Sequence, residues 1–160
     1  MLIEIMVGPD PANGTRRAPP RPVSEQAVAD SGWTRDVWIV EDEPAAGMLA
    51  AELCEACGAA ASVFRAPLPY LAALRGPTVP MAVVLDWRLE NALSAALFLA
   101  TRHRHPRVRV IYWTASPRSS LPAMIRHDRL TMVVDKAGGA DSFEAALSWA
   151  LAAEGESQPA

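Results

Sequence analysis

The sequence predicts an α/β fold, namely a doubly wound five-stranded parallel sheet with flanking helices. Two observations predict it. Five short runs of β-branched or aromatic residues alternate with segments of helical pattern, and this alternation is typical of βαβ units. Four of these runs also end in charged or polar residues, and ligand sites of doubly wound sheets lie at the carboxyl ends of the strands.

The predicted strands are short and apolar enough to be buried on both faces of a sheet. In chain order they are DVWIV (36–40), ASVF (61–64), MAVVL (81–85), VRVIYW (108–113) and TMVV (131–134). In the third run, four apolar residues lead directly into Asp86. A carboxylate at this point needs a reason, since a buried strand otherwise avoids charge.

A helix is predicted after each strand. The five helical segments are 44–57, 67–74, 91–103, 116–126 and 141–152. The last has the strongest signals, because Asp141 and Glu144 match a capping box and Phe143, Leu147 and Leu151 follow at helical spacing.

Composition favours one soluble cytoplasmic domain. The chain has 160 residues, of which 51% are hydrophobic, and a formal net charge of −3. No apolar run reaches the roughly 18 residues of a membrane span, and the N-terminus lacks the pattern of a signal peptide. Two cysteines are too few for a disulfide framework, which fits a reducing compartment.

The predicted domain spans residues 35–153. Residues 1–34 are predicted to form a disordered or extended N-terminal arm, because 9–22 (PDPANGTRRAPPRP) has no apolar period. Residues 154–160 are predicted to be a C-terminal tail. No segment after the domain is long enough for an output domain, so we expect no DNA-binding domain here.

Polar side chains end four of the five strands. Glu41 and Asp42 follow the first strand, Asp86 follows the third, Thr114 follows the fourth and Lys136 follows the fifth. These ends share one edge of the sheet, where three carboxylates would repel each other unless a cation joined them. Hard oxygen ligands suit Mg²⁺, and Lys136 with Thr114 could contact a phosphoryl group.

Lys136 is also marked by composition. Arginine supplies 14 of the 15 basic residues, so Lys136 is the only lysine in the chain. A compact ammonium differs from the planar guanidinium fork of arginine, which favours a specific role for this residue.

These residues and their order resemble the receiver domain of bacterial response regulators. The matching segments are WIVEDEP, VVLDWRL, VIYWTAS and VVDKAGG, and the resemblance covers roughly residues 36–153. The spacings between Asp42, Asp86, Thr114 and Lys136 are 44, 28 and 22 residues. The resemblance implies a flavodoxin-like receiver fold with strand order 2-1-3-4-5.

The resemblance also implies roles for the matched residues. Asp86 would accept a phosphoryl group from a histidine kinase or phosphotransfer protein. Glu41, Asp42, Asp86 and the backbone carbonyl of Arg88 would help to bind Mg²⁺. Thr114 and Lys136 would contact the phosphoryl oxygens. The protein would not be an enzyme with a separate substrate, and its output would be contact with a downstream protein target.

Departures from the family pattern favour a second interpretation. The position three before Lys136, usually Tyr or Phe in the family, is Val133. The position after it, usually proline, is Ala137, before which a cis bond would cost roughly 2.5–4 kcal/mol. The chain could therefore be a degenerate receiver that serves as an interaction module without phosphorylation. A small metal-dependent phosphatase is a third class, disfavoured because Arg88 replaces the second Asp of a D-x-D pair.

A basic segment, RHRHPRVR at 102–109, allows two interpretations. Its four arginines and two histidines could attract nucleic acid or an acidic partner. It contains no aromatic residue for stacking on bases, and so a solvated helix end and loop is the favoured interpretation.

Overall fold

The computed structural model of the protein describes residues 36–90 and 94–152. At its centre lies a five-stranded sheet in which all neighbouring strands are parallel, in the order β2-β1-β3-β4-β5. The strands are β1 Asp36–Val40, β2 Ala60–Phe64, β3 Ala82–Leu85, β4 Arg109–Thr114 and β5 Thr131–Asp135. The predicted fold class is confirmed, and so is the strand order that the resemblance implied.

Five α-helices lie in the described part of the chain. They are α1 Pro44–Ala56, α2 Pro67–Arg75, α3 Ser94–Arg104, α4 Ala123–Arg126 and α5 Gly139–Leu151. Both α1 and α2 begin at proline, which suits a first helical turn because its N–H groups have no partner within the helix. None of the described helices has the length and apolar character to cross a membrane.

Helices cover both faces of the sheet and create two cores. Successive residues of a strand point to opposite faces, so Ile39 packs in one core with Phe143 of α5, and Trp38 packs in the other with Leu97 of α3. All four residues of β3, the central strand, are buried. Burial on both faces explains why this strand is a continuous apolar run rather than an alternating one.

The predicted helix over residues 116–126 is wrong. The segment instead contains a 3₁₀ turn at Arg118–Ser120 and the single-turn helix α4. Between them Leu121 is extended, with φ −80° and ψ 143°. Proline disfavours helical geometry in the residue before it, and so Pro122 interrupts the helix at Leu121.

The predicted start of the last helix is also wrong. Helix α5 begins at Gly139 and its N-cap is Gly138, so Asp141 lies within the first turn. Its carboxylate still suits this position, because the N-terminal end of a helix carries partial positive charge. Asp135 caps the preceding 3₁₀ turn instead, since its side chain accepts a hydrogen bond from the Ala137 N–H.

Several predicted boundaries lie outside the described residues. These are the N-terminal arm at 1–34, the tail at 154–160 and the predicted start of a helix at residue 91. Residues 35 and 153, the predicted limits of the domain, also lie outside the described residues, so these limits stay predictions.

Three of the four arginines in the basic segment bind other parts of the fold. Arg102 forms an ion pair with Asp128 at 2.6 Å and also donates to backbone carbonyls at the start of β4 and β5. Arg104 donates to the carbonyl of Leu74 at 2.9 Å, and Arg109 donates to the carbonyl of Trp149 and stacks on its ring. These contacts join the ends of α2, α3 and α5 to the edge of the sheet that carries the strand starts. Arg104 is exposed at the end of α3, which agrees with the favoured interpretation of a solvated helix end and loop, and the contacts add a structural role for these three arginines.

The Arg102–Asp128 pair predicts a pH-dependent stability. Burial alone would raise the pKa of Asp128, but hydrogen bonds from Thr131 and Arg102 and the charge of Arg102 together bring it below its usual value. Because the pKa of Asp128 is lower in the folded protein than the unfolded value of 3.8, its charge stabilises the fold at pH values above 3.8. That stability is lost as the pH falls through the pKa of the folded protein. We expect Asp128→Asn to lower the free energy of unfolding by about 1 kcal/mol at pH 7.

Urea unfolding of wild type and Asp128→Asn at several pH values measures this effect. The difference between the two proteins should stay constant above about pH 5 and should shrink as the pH falls from about 5 through 3.8 and toward the lower folded-state pKa of Asp128. Glu52→Gln, which removes an exposed carboxylate in the interior of α1, is the matched control. A constant difference across this range would show that the ion pair contributes nothing through the charge of Asp128.

Candidate functional site

Three carboxylates meet at the carboxyl ends of β1 and β3. Glu41 and Asp42 directly follow β1, Asp86 directly follows β3, and these two strands are neighbours in the sheet. One oxygen from each side chain lies within 4.8 Å of the other two. Glu41 is 2% exposed and Asp86 is 7% exposed, so two of the three charges lie mostly out of water.

Lys136 extends from the end of β5 into this cluster. Its Nζ donates to Glu41 Oε2 at 2.6 Å and to Asp86 Oδ2 at 3.3 Å. Burial by itself lowers the pKa of Lys136, but the hydrogen bond to Glu41 and the charges of Asp86 and Glu41 outweigh it and raise the pKa. The ammonium is therefore charged over the whole physiological range.

Glu41 is held on both of its oxygens. Oε2 accepts from Lys136, and Oε1 accepts from the backbone N–H of Glu43 at 3.1 Å. Burial is the largest influence on its pKa and raises it despite these two donors, and the nearby charge of Asp86 adds to the increase. Burial of this carboxylate is tolerated because Lys136 is so close.

Asp86 has one oxygen with a partner and one without. Its Oδ2 accepts from Lys136, whereas its Oδ1 is buried and has no hydrogen-bond partner among the described residues. A buried carboxylate oxygen without a donor is costly and needs an explanation. The explanation consistent with the cluster is a ligand or a transferred group that binds this oxygen.

The loops around Asp86 are anchored by hydrogen bonds. Asp42 Oδ2 accepts from the backbone N–H of Glu90 at 2.8 Å. Ser94, the first residue of α3, donates through Oγ to the backbone carbonyl of Asp86 at 2.6 Å and lies near the hydroxyl of Tyr112. These contacts connect Glu90 and the start of α3 to the acidic cluster.

Thr114 and Arg88, the remaining predicted site residues, lie at the same edge of the sheet, but no hydrogen bond to the acidic cluster is seen for either among the described residues. Thr114 is 1% exposed, and its Oγ1 accepts from the N–H of Ser116 at 3.1 Å. No hydrogen bond joins Thr114 to Asp86 or Lys136 within the described residues. Arg88 is exposed in the loop two residues beyond Asp86. The proposed roles of these residues stay predictions.

The residues present fit a hard divalent cation. Three carboxylates lie close together with one ammonium, and the unpartnered Asp86 Oδ1 offers a free anionic oxygen. Carboxylate oxygens of this number and kind are common ligands of Mg²⁺. The cluster can therefore hold a metal ion.

Trp113 and Ser94 are not among the predicted site residues, yet both contact the cluster. Lys136 Nζ lies 5.1 Å from the centre of the Trp113 ring, and Ser94 Oγ donates to the carbonyl of Asp86. The sequence held one signal, because Trp113 directly precedes Thr114 and its side chain therefore lies near the end of the strand. Nothing in the local pattern marked Ser94.

Val133 and Ala137 are the two departures from the family pattern, and the structure describes the surroundings of both. Val133 is half-buried on β5 and is the sheet partner of Tyr112 on β4. The bond before Ala137 is trans, as are all described peptide bonds. The residue paired with Val133 in the sheet is therefore the aromatic Tyr112 of β4.

Comparisons with known proteins define the fold. No protein-family model matches the sequence, and no curated protein matches it either. Solved structures do match. A response regulator receiver protein from Sinorhizobium medicae has 13% identity and a TM-score of 0.66, with 75% of this chain and 96% of that chain covered.

Two further structures agree. The response regulator TrrA from Thermotoga maritima, solved in complex with Mg(2+)-BeF, has 20% identity and a TM-score of 0.60, with 72% of this chain and 98% of that chain covered. A CheY-like receiver domain from Methylobacillus flagellatus has 23% identity and a TM-score of 0.60, with 73% of this chain and 98% of that chain covered. Together with the strand order 2-1-3-4-5, these matches show that the chain has the fold of response regulator receiver domains.

Proposed function

We propose that the protein is a response regulator receiver that accepts a phosphoryl group on Asp86 in a Mg²⁺-dependent reaction. The donor is a histidine kinase or a phosphotransfer protein, and the output is contact with a downstream protein target. The observation that supports this most directly is the unpartnered Oδ1 of Asp86, located in an acidic cluster that contains a charged lysine.

The transfer needs little from the protein besides a nucleophile and positioned charges. An oxygen of the Asp86 carboxylate forms a bond to the phosphorus of a phosphohistidine. The phosphorus–nitrogen bond breaks, and the imidazole nitrogen leaves with the electron pair. Lys136 neutralises charge on the phosphoryl oxygens, since its Nζ is already 3.3 Å from Asp86. Thr114 retains its hydroxyl hydrogen as a donor, because its oxygen accepts from Ser116.

Glu41, Asp42, Asp86 and the backbone carbonyl of Arg88 would hold Mg²⁺. When bound, the ion supplies positive charge that offsets repulsion between the carboxylates and an incoming phosphoryl group. Lys136 alone carries one positive charge against three carboxylates, which supports the need for a second cation. The TrrA structure contains such an ion with beryllium fluoride.

The protein would promote only its own phosphorylation and dephosphorylation, so we do not propose a separate enzymatic substrate. We place it in the cytoplasm, where histidine kinases present their phosphorylated domains. Contact with DNA is not part of the proposal, because three arginines of the basic segment are bound within the fold.

A degenerate receiver, acting as an interaction module without phosphorylation, is the alternative. Val133 and Ala137 favour it, because the conventional aromatic switch and the proline after the lysine are missing. Nothing in the acidic cluster favours it over phosphorylation, since the three carboxylates and Lys136 lie together.

Incubation with acetyl phosphate and Mg²⁺ distinguishes a phosphorylated response regulator from an interaction module that works without phosphorylation. We expect the full chain to gain one phosphoryl group, detected by intact mass, that hydroxylamine and base remove because an acyl phosphate is labile. Omission of Mg²⁺ should prevent the gain. If a folded protein stays unmodified by acetyl phosphate and by several phosphorylated histidine kinases, the interaction module becomes the better description.

A further inference from the structure

Trp113 presents its ring to the ammonium group of Lys136. The Nζ atom lies 5.1 Å from the ring centre, within the range in which a cation is attracted to an aromatic face. On the core side the indole packs against Phe143 of α5, with 4.8 Å between ring centres, and Trp113 is only 5% exposed. The ring is therefore held in place by the core while it contacts the lysine.

Core filling alone does not account for tryptophan at this position. The Nε1 of Trp113 is buried and has no hydrogen-bond partner among the described residues. Phenylalanine or leucine could occupy an apolar core position without leaving a buried N–H group unpaired. Tryptophan, however, offers the most electron-rich face of the natural side chains to a cation.

Lys136 needs such support because its own segment constrains it weakly. A lysine side chain has four rotatable carbon–carbon bonds, and its ammonium is a point charge without a preferred plane. The residues after it, Ala137, Gly138 and Gly139, do not include proline, and Gly139 has a positive φ of 75°. Its hydrogen-bond partners Glu41 and Asp86 belong to other strands.

The contact with Trp113 does not depend on which anion Lys136 binds. In the structure the lysine binds Glu41 most closely, at 2.6 Å. Phosphorylation of Asp86 would place new oxygens beside the lysine, and the ammonium would have to shift toward them. An aromatic face attracts a cation without a strict direction, so the ring can support both positions.

We propose that Trp113 is a positioning residue that holds the Lys136 ammonium over the acidic cluster during phosphoryl transfer. This rests on the proposed function, because it assigns Trp113 a part in the phosphorylation of Asp86. The role requires the ring face rather than the bulk of the side chain.

Trp113→Leu and Trp113→Phe test the proposal in the full chain. We expect Trp113→Leu to lower the maximal rate of phosphorylation by acetyl phosphate by about 3- to 30-fold. Trp113→Phe should recover most of this loss, because phenylalanine keeps a weaker aromatic face. Trp38→Leu and Trp38→Phe are matched controls, since Trp38 is equally buried but lies in the core on the other face of the sheet.

Proton NMR of the Lys136 side chain adds a readout that fold loss does not mimic. The ε-methylene protons should be shifted upfield by the Trp113 ring current in wild type, less so in Trp113→Phe and not at all in Trp113→Leu. All rates are compared at a temperature where circular dichroism shows each variant folded.

Three outcomes are distinguishable. The graded loss with unchanged Trp38 controls supports the proposal. If folded Trp113→Leu is phosphorylated as fast as wild type, the positioning role is overturned while the proposed function stands. If wild type itself accepts no phosphoryl group from any donor, the proposed function fails and the role of Trp113 fails with it.

Discussion

Replacing Asp86 with asparagine should abolish phosphoryl incorporation from acetyl phosphate and from any phosphorylated kinase. The amide has no charged oxygen to attack phosphorus, so we expect incorporation below about 1% of wild type. Intact mass after a fixed incubation with Mg²⁺ measures this directly. Glu55→Gln is the control, because it removes an exposed carboxylate at the C-terminal end of α1, whereas the N-terminal end of this helix follows Glu41 and Asp42, and the variant should be phosphorylated as wild type.

The same variant should bind Mg²⁺ more weakly. Trp87 follows Asp86 and packs with its ring centre 6.3 Å from that of Tyr112, so its emission should report on the cluster. We expect a saturating change in wild type and an affinity lower by about tenfold or more in Asp86→Asn, because one of three anionic ligands is lost. Trp87→Phe is the control that shows whether the change in emission comes from Trp87.

In the phosphorylation experiment, incorporation into Asp86→Asn at the wild-type rate would show that another residue is the acceptor.

Replacing Lys136 with methionine should destabilise the fold strongly. Glu41 is 2% exposed, and the lysine ammonium at 2.6 Å is its closest positive charge. Removing one partner of a buried ion pair leaves an uncompensated charge, which costs roughly 3–5 kcal/mol. Methionine keeps a similar length and apolar contact with Trp113, so the loss reports mainly on the charge. Urea unfolding without Mg²⁺ measures the change.

A second substitution separates the buried charge from other effects of losing Lys136. Glu41→Gln combined with Lys136→Met should be more stable than Lys136→Met alone, since the buried charge is gone. Arg129→Met, which removes an exposed cation, should change stability by less than about 0.5 kcal/mol. A double variant as unstable as the single one would show that the Glu41–Lys136 pair is not the cause.

Much of the fold followed from local pattern. The five strands and the first two helices were predicted close to their observed bounds, because apolar runs and proline at a helix start act over a few residues. The pattern failed where a nearby proline competed with helical spacing, as at Pro122 in the segment 116–126. It also failed at Asp141, because α5 begins at Gly139 with Gly138 as its N-cap.

The sequence by itself determined which groups would share one edge of the sheet. Parallel strands have all their carboxyl ends on the same side, so Glu41, Asp42, Asp86 and Lys136 share one edge once the strands are recognised. Their closeness along that edge depends also on the strand order, which the resemblance implied. Neither inference needs side-chain coordinates, and this is why the acidic cluster was predictable.

Only the tertiary structure decided which partners these groups take. The free Oδ1 of Asp86, the Trp113 ring beneath Lys136 and the binding of Arg102 to Asp128 depend on residues distant in the sequence. Their geometry is set by how helices pack on the sheet, within tenths of an ångström. Hydrogen bonds and cation–aromatic contacts weaken steeply over such distances, and residue spacing alone cannot determine them.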